Sequence, residues 1–143
     1  MTLLALATSL ALCAPPQEHI GLEETLDLIR LVETGGEPRE GRGAKGDGGA
    51  SLGPYQIQRA YFIDSRVKGK YEAVLHDTEL SKRVVRGYFK RYSREAYRRL
   101  EAGTGTLADL ERVCRQHNGG PKGHLRKSTE TYYQKILKLR RNR

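Results

Sequence analysis

Apolar residues recur at helical spacing from Leu22 onward. Leu22, Leu26 and Ile29 share one face, Glu23 and Glu24 sit in a first turn where the helix dipole favours acids, and Gly35-Gly36 stops the pattern. The spacing predicts a helix over residues 21–33, and the next position of its apolar stripe is a carboxylate, Glu33. Residues 35–54 break this rhythm. Eight glycines and two prolines with scattered charge predict a tight loop or short hairpin that a ligand can approach closely. Residues 55–67 return to apolar and aromatic positions and predict helix. Asp77 predicts an N-cap for a long helix to about Leu100, with Leu80, Val84, Val85, Tyr88, Tyr92 and Ala96 as its buried stripe. After Gly103 and Gly105, Thr106 with Asp109 reads as an acidic capping box. The inner face of that helix would be Leu107, Leu110, Val113 or Cys114, and His117, and Asn118-Gly119-Gly120-Pro121 ends it. Ser128 predicts the cap of a last helix carrying Tyr132, Tyr133, Ile136 and Leu139, before a basic tail from Arg140 to Arg143. The pattern describes a mainly α (α+β) domain with a small hairpin or loop region between the first two helices.

Composition narrows the function. The chain has 143 residues, enough for one compact domain, and 26 basic against 17 acidic residues give it a formal charge of +9. Such an excess implies an anionic partner: nucleic acid, a membrane surface or an acidic wall polymer. No nucleic-acid recognition motif or zinc spacing is present, so no specific nucleic acid is expected. The Gly46–Gly53 stretch lacks the Lys-Ser/Thr ending of a phosphate loop. The histidines and acids show no metal-ligand spacing, and neither a metal nor another cofactor is expected. Lys82, Arg83, Arg86, Lys90, Arg91 and Arg94 read first as the solvated face of the long helix.

The first sixteen residues carry no charged side chain. Residues 1–14 form an apolar run too short to span a membrane, ending in Cys13-Ala14 ahead of Pro15-Pro16. This predicts a leader at residues 1–16, despite the missing Lys or Arg at its start, and a secreted or periplasmic domain at residues 17–143. Cys13 would leave with the leader. Cys114, alone in an apolar helical pattern, reads as a small core residue, so no intramolecular disulfide is expected.

Glycoside cleavage needs one protonated carboxyl and one ionised carboxylate. Glu33, in line with an apolar face, suits the first role, and Asp47, among glycines with accessible N–H groups, suits the second. A carboxylate at a helix end is usually only solvated, so the neighbouring words carry the case. Val32-Glu33-Thr34-Gly35 is followed by Gly46-Asp47-Gly48-Gly49-Ala50-Ser51-Leu52-Gly53-Pro54-Tyr55-Gln56-Ile57, then Tyr61-Phe62-Ile63-Asp64, then His117-Asn118-Gly119-Gly120-Pro121. This ordered set, over about residues 22–137, resembles the invertebrate-type (destabilase-like) lysozymes. The resemblance implies a lysozyme-like fold and a retaining muramidase that cuts between N-acetylmuramic acid and N-acetylglucosamine in peptidoglycan. It places the proton donor on Glu33 and the second carboxylate on Asp47. Ser51, Tyr55, Gln56, Tyr61, His117 and Asn118 become candidates for lining the sugar cleft, since aromatic faces and amides suit sugars. Packing in the core is the competing role for each tyrosine and for His117.

Three departures from that family stand out. The positions flanking Gly53 and Gly123 lack its cysteines, which suggests a disulfide-poor relative of bacterial type. The segment from Glu33 to Asp47 is longer and makes Glu37 and Glu40 rival carboxylates. The position of a lysine tied to isopeptidase activity in some relatives is Gln58, so no isopeptidase activity is expected. The competing functions are a lytic transglycosylase using Glu33 alone and a non-catalytic basic wall-binding protein. A monomer is expected.

Overall fold

The computed structural model describes residues 19–143; the expected leader, Cys13 included, lies outside the described residues. Among the described residues six helices surround one apolar core: α1 (Leu22–Thr34), α2 (Arg59–Ser65), α3 (Thr78–Tyr92), α4 (Arg94–Glu101), α5 (Leu107–Gly119) and α6 (Glu130–Arg141). Between α1 and α2 lies a three-stranded antiparallel sheet of two-residue strands, β1 (Lys45–Gly46), β2 (Ser51–Leu52) and β3 (Ile57–Gln58). This is the α+β arrangement expected from the sequence.

The apolar stripes explain the packing. Leu22, Leu26, Leu28 and Ile29 of α1 are buried, and α1 packs on α4, α5 and α6. α5 lies between α4 and α6 and buries Leu110, Val113 and Cys114. α2 packs on α3, whose Leu80, Val84, Val85, Tyr88 and Phe89 are buried. Cys114 is a free, buried core residue, so packing rather than a disulfide holds the described residues together. Both expected caps on α3 and α5 are present. Asp77 accepts from the Leu80 N–H at 2.8 Å, and Thr106 and Asp109 form a reciprocal capping box.

Four local expectations are corrected. The long helix is two: Ser93 leaves helical geometry between α3 and α4. Its hydroxyl donates to the Gln116 side-chain oxygen and accepts from Arg112 Nε at 2.9 Å, while Gln116 Nε2 donates to the Tyr92 carbonyl at 3.3 Å. These bonds from α5 replace the helical ones that a break forfeits. Tyr55 and Gln56 belong to the turn before β3, and helix begins only at Arg59. Leu107, the first residue of α5, is 50% exposed, because the first turn overhangs the core. Ser128 does not cap α6; Thr129 stands there, its hydroxyl bonded to the Gly123 and Arg126 carbonyls.

The segment between α5 and α6 is anchored by a buried arginine. Arg115 donates through Nε to Thr129 Oγ1 at 2.9 Å, through Nη1 to Glu111 at 2.6 Å and through Nη2 to the Arg126 carbonyl at 2.9 Å. Gly123 must be glycine here, since a Cβ would collide with the Arg115 carbonyl oxygen. At the other end, Ile20 and Gly105 exchange backbone hydrogen bonds of 3.0 and 3.1 Å and tie the start of the described chain to the α4–α5 turn.

Candidate active site

Glu33 sits in the last turn of α1, where the stripe of Leu22, Leu26 and Ile29 emerges from the core. Gly35, left-handed at φ 65°, caps the helix through its N–H to the Leu31 carbonyl. The Glu33 side chain is 17% exposed and opens on a cleft of about 460 Å³. Asp47, Ser51, Gln56, Gln58, Tyr61, His117, Asn118 and Arg126 also line that cleft. The two carboxylates singled out in the sequence therefore share one groove, of a size typical for a ligand site.

Each carboxylate has its own set of donors. Tyr132, on α6, donates its hydroxyl to Glu33 Oε1 at 2.8 Å. His117 Nε2 stands 3.4 Å from the same oxygen and 3.1 Å from the Tyr55 carbonyl. A carbonyl only accepts, so Nε2 carries the hydrogen. In the neutral ring Nδ1 then accepts from the Tyr61 hydroxyl, 3.0 Å away. Tyr61 is itself stacked on Tyr88, with ring centroids 3.7 Å apart and planes 9° from parallel. Burial pushes the phenols of Tyr61 and Tyr132 well above their ordinary range, and the nearby Glu33 carboxylate adds to both. Both hydroxyls thus stay protonated near neutral pH.

Asp47 is placed by the sheet. The register pairs Gly46 with Ser51 and Ser51 with Gln58, so the turn after β1 lies over the outer ends of β2 and β3. Asp47 adopts φ 51°, a left-handed conformation that Asp tolerates better than most residues. Its Oδ2 accepts from the Ser51 hydroxyl at 2.5 Å and from Gln58 Nε2 at 3.3 Å, and Gln58 Nε2 also lies 3.3 Å from Ser51 Oγ. Both partners are donors, the complement of an ionised carboxylate.

The other expected site residues divide. Tyr61, His117 and Asn118 line the cleft, and the Asn118 side chain is bonded to nothing among the described residues. Ser51 also lines it but is 2% exposed and committed to Asp47. Gln56 is held by the loop: its Nε2 donates to the Gly53 carbonyl at 3.0 Å and to the Ala44 carbonyl at 3.4 Å. Its Oε1 packs so closely over Gly46 that a Cβ there would collide with it. Tyr55 is a correction. Its ring is wholly buried in the core and does not line the cleft, because the turn before β3 aims it inward; only its carbonyl reaches the site, through His117. Glu37 and Glu40 are exposed loop residues outside the cleft lining.

Sequence reasoning missed Tyr132, Gln58 and Arg126. Tyr132 and Tyr133 both fall on the inner face of α6, and each is 8% exposed, so periodicity cannot tell which meets the groove. Gln58 was noted only for the lysine it replaces; its contact with Asp47 depends on a register that two-residue strands do not announce.

A helical fold with a small sheet and a groove holding two separately supported carboxylates is the arrangement of a lysozyme-like glycosidase. No protein-family model matches the chain. The Ostrea edulis lysozyme is 36% identical over 87 residues, 60% of this chain and 58% of that one. The Meretrix lusoria lysozyme is 32% identical over 93 residues, 64% of this chain and 70% of that protein. Invertebrate-type lysozyme 6 of Caenorhabditis elegans is 31% identical, with 64% of this chain and 69% of the relative covered. The crystal structure of Tapes japonica lysozyme superposes with a TM-score of 0.62 at 28% identity, over 88% of this chain and 94% of the other. The crystal structure of Aeromonas hydrophila PliI in complex with Meretrix lusoria lysozyme gives a TM-score of 0.65 at 28% identity, over 85% and 92%. The chain belongs to the invertebrate-type lysozyme family. Its match spans 58% of the Ostrea edulis protein and 43% of Crassostrea virginica lysozyme 1.

Proposed function

We propose that this chain is a secreted or periplasmic muramidase that hydrolyses the bond between N-acetylmuramic acid and N-acetylglucosamine in peptidoglycan. The observation that carries the reading is the convergence of Glu33 and Asp47 on one cleft, each held by different donors. Tyr132 and His117 both address Glu33 Oε1, which leaves Oε2 to carry the acid proton and face the scissile oxygen. Proton transfer from Oε2 releases the leaving sugar, and the charge developing on the remaining ring is met by Asp47. Water then supplies the hydroxyl of the new reducing end and returns a proton to Glu33. Ser51 and Gln58 hold Asp47 in place during this sequence.

The test is turbidity loss of bacterial walls, with analysis of the released ends. Wild type should clear walls and release reducing ends. Glu33→Gln should lose on the order of 10²–10⁴ of that rate, the range for a general acid. Full clearing by Glu33→Gln would refute the reading. Anhydro-muramyl products with activity retained in Asp47→Asn would replace hydrolysis by transglycosylation.

A further inference from the structure

The cleft lining is acidic or neutral except at one point. Glu33, Asp47 and Asp64 contribute carboxylates, and Asp64 is already paired with Arg91 at 3.4 Å. Arg126 is the one Lys or Arg of the lining among the described residues. Its guanidinium makes no ion pair or hydrogen bond among the described residues, whereas many other arginines of this chain are engaged with carboxylates.

The backbone that presents Arg126 is rigid. The Arg126 carbonyl accepts from Arg115 Nη2 at 2.9 Å, from Thr129 Oγ1 at 2.8 Å and from the Thr129 N–H at 3.1 Å. Its side-chain stem passes over Gly119, where a Cβ would lie 3.9 Å from Arg126 Cδ. Asn118, whose amide is unengaged among the described residues, lines the same cleft. An anchored backbone, an unpaired guanidinium fork and a free amide in one cleft make a site for a planar anion.

We infer that Arg126, assisted by Asn118, binds a carboxylate carried on the glycan, namely that of the peptide stem attached to muramic acid. This rests on the muramidase reading for its substrate. Arg126 would then set specificity: it favours peptide-bearing glycan over a plain N-acetylglucosamine polymer, which has no carboxylate. Phosphate of wall teichoic acid is the other anion of the same surface. A guanidinium takes either, but the cleft holds the sugar backbone and so brings the substituents of that backbone to Arg126 first.

The experiment measures binding in a Glu33→Gln background, so that turnover plays no part. Two soluble ligands are titrated by calorimetry: a muropeptide tetrasaccharide free of teichoic acid, and chitotetraose. The parent should prefer the muropeptide. Arg126→Gln should reduce that preference on the order of tenfold, the scale of one hydrogen bond to a charged group, and Arg126→Lys should restore part of it. A muropeptide with its carboxyls converted to amides should lose the preference even with Arg126 intact, which tests the site without any variant at that position. An unchanged ratio in Arg126→Gln overturns the inference, as does preference for the amidated ligand. If only fragments bearing teichoic phosphate gain from Arg126, the carboxylate assignment is wrong. The two readings fail separately: a chain that cleaves no wall but shows an Arg126-dependent preference has the anion site without the hydrolysis.

Discussion

The Glu33 oxygen that accepts from Tyr132 also lies 3.4 Å from His117 Nε2, so chemistry falls to the other oxygen. Tyr132→Phe removes one donor without removing the ring. The loss removes one hydrogen bond to a charged group, so kcat should fall about tenfold with KM little changed. A kcat identical to wild type would show that Tyr132 only packs. At this scale the sequence was legible where chemistry and motif coincide. Glu33 continues an apolar stripe, Asp47 sits in a glycine turn, and both reach the groove. Tyr55 was misplaced because an aromatic beside Gln56 suits a sugar cleft and a core equally well. Arg126 was illegible, since one arginine among many carries no positional signal until the loop is folded.

Helix ends with side-chain caps were read correctly, and the ends made by distant partners were not. The Thr106–Asp109 box is local, whereas the break at Ser93 depends on Arg112 and Gln116 of another helix, and nothing near Ser93 signals it. The capping box extends into tertiary structure. Asp109 is nearly buried and accepts from Arg99 Nε at 2.9 Å and Nη2 at 2.6 Å. The Arg99 guanidinium, with help from Thr106, holds the Asp109 carboxyl below its ordinary value. Because the folded-state value is the lower one, this stabilisation is present above the unfolded carboxyl range, near pH 4, and is lost as pH falls through the folded value. Asp109→Asn should therefore cost about 1–2 kcal/mol near neutrality, the range of a cap and a half-exposed ion pair. Thermal melts should show the gap closing as pH falls below the ordinary carboxyl range. A gap that persists unchanged in acid would assign the cost to something other than the charge.

Across the molecule, part of the basic excess is structural. Lys82 and Arg86 of α3 pair with Glu23 of α1, and Arg140 and Arg143 at the C-terminal end reach Glu24 and Asp27 of the same helix. The basic tail read from the sequence is thus partly a fastening of α6 to α1. Within the described residues no helix is long and apolar enough to cross a membrane. The net charge of +9 still gives a field that, under the proposed function, would draw the protein to an acidic wall polymer. Retention of Glu33→Gln on isolated walls should fall steeply as salt rises from about 50 to about 500 mM, where the screening length shrinks to a few ångströms. Salt-independent retention in a pull-down would deny that field a role.

The pairing of Glu33 with Asp47 is tested most directly by a double-mutant comparison on one soluble muropeptide. Wild type, Glu33→Gln, Asp47→Asn and the double variant are assayed for kcat/KM, with folding checked by thermal melt. If both groups serve one bond-breaking event, each single variant loses on the order of a hundredfold or more, and the double variant is no slower than the slower single variant. Losses that simply multiply, or an Asp47→Asn variant as fast as wild type, would mean that the two carboxylates share a groove without sharing a reaction.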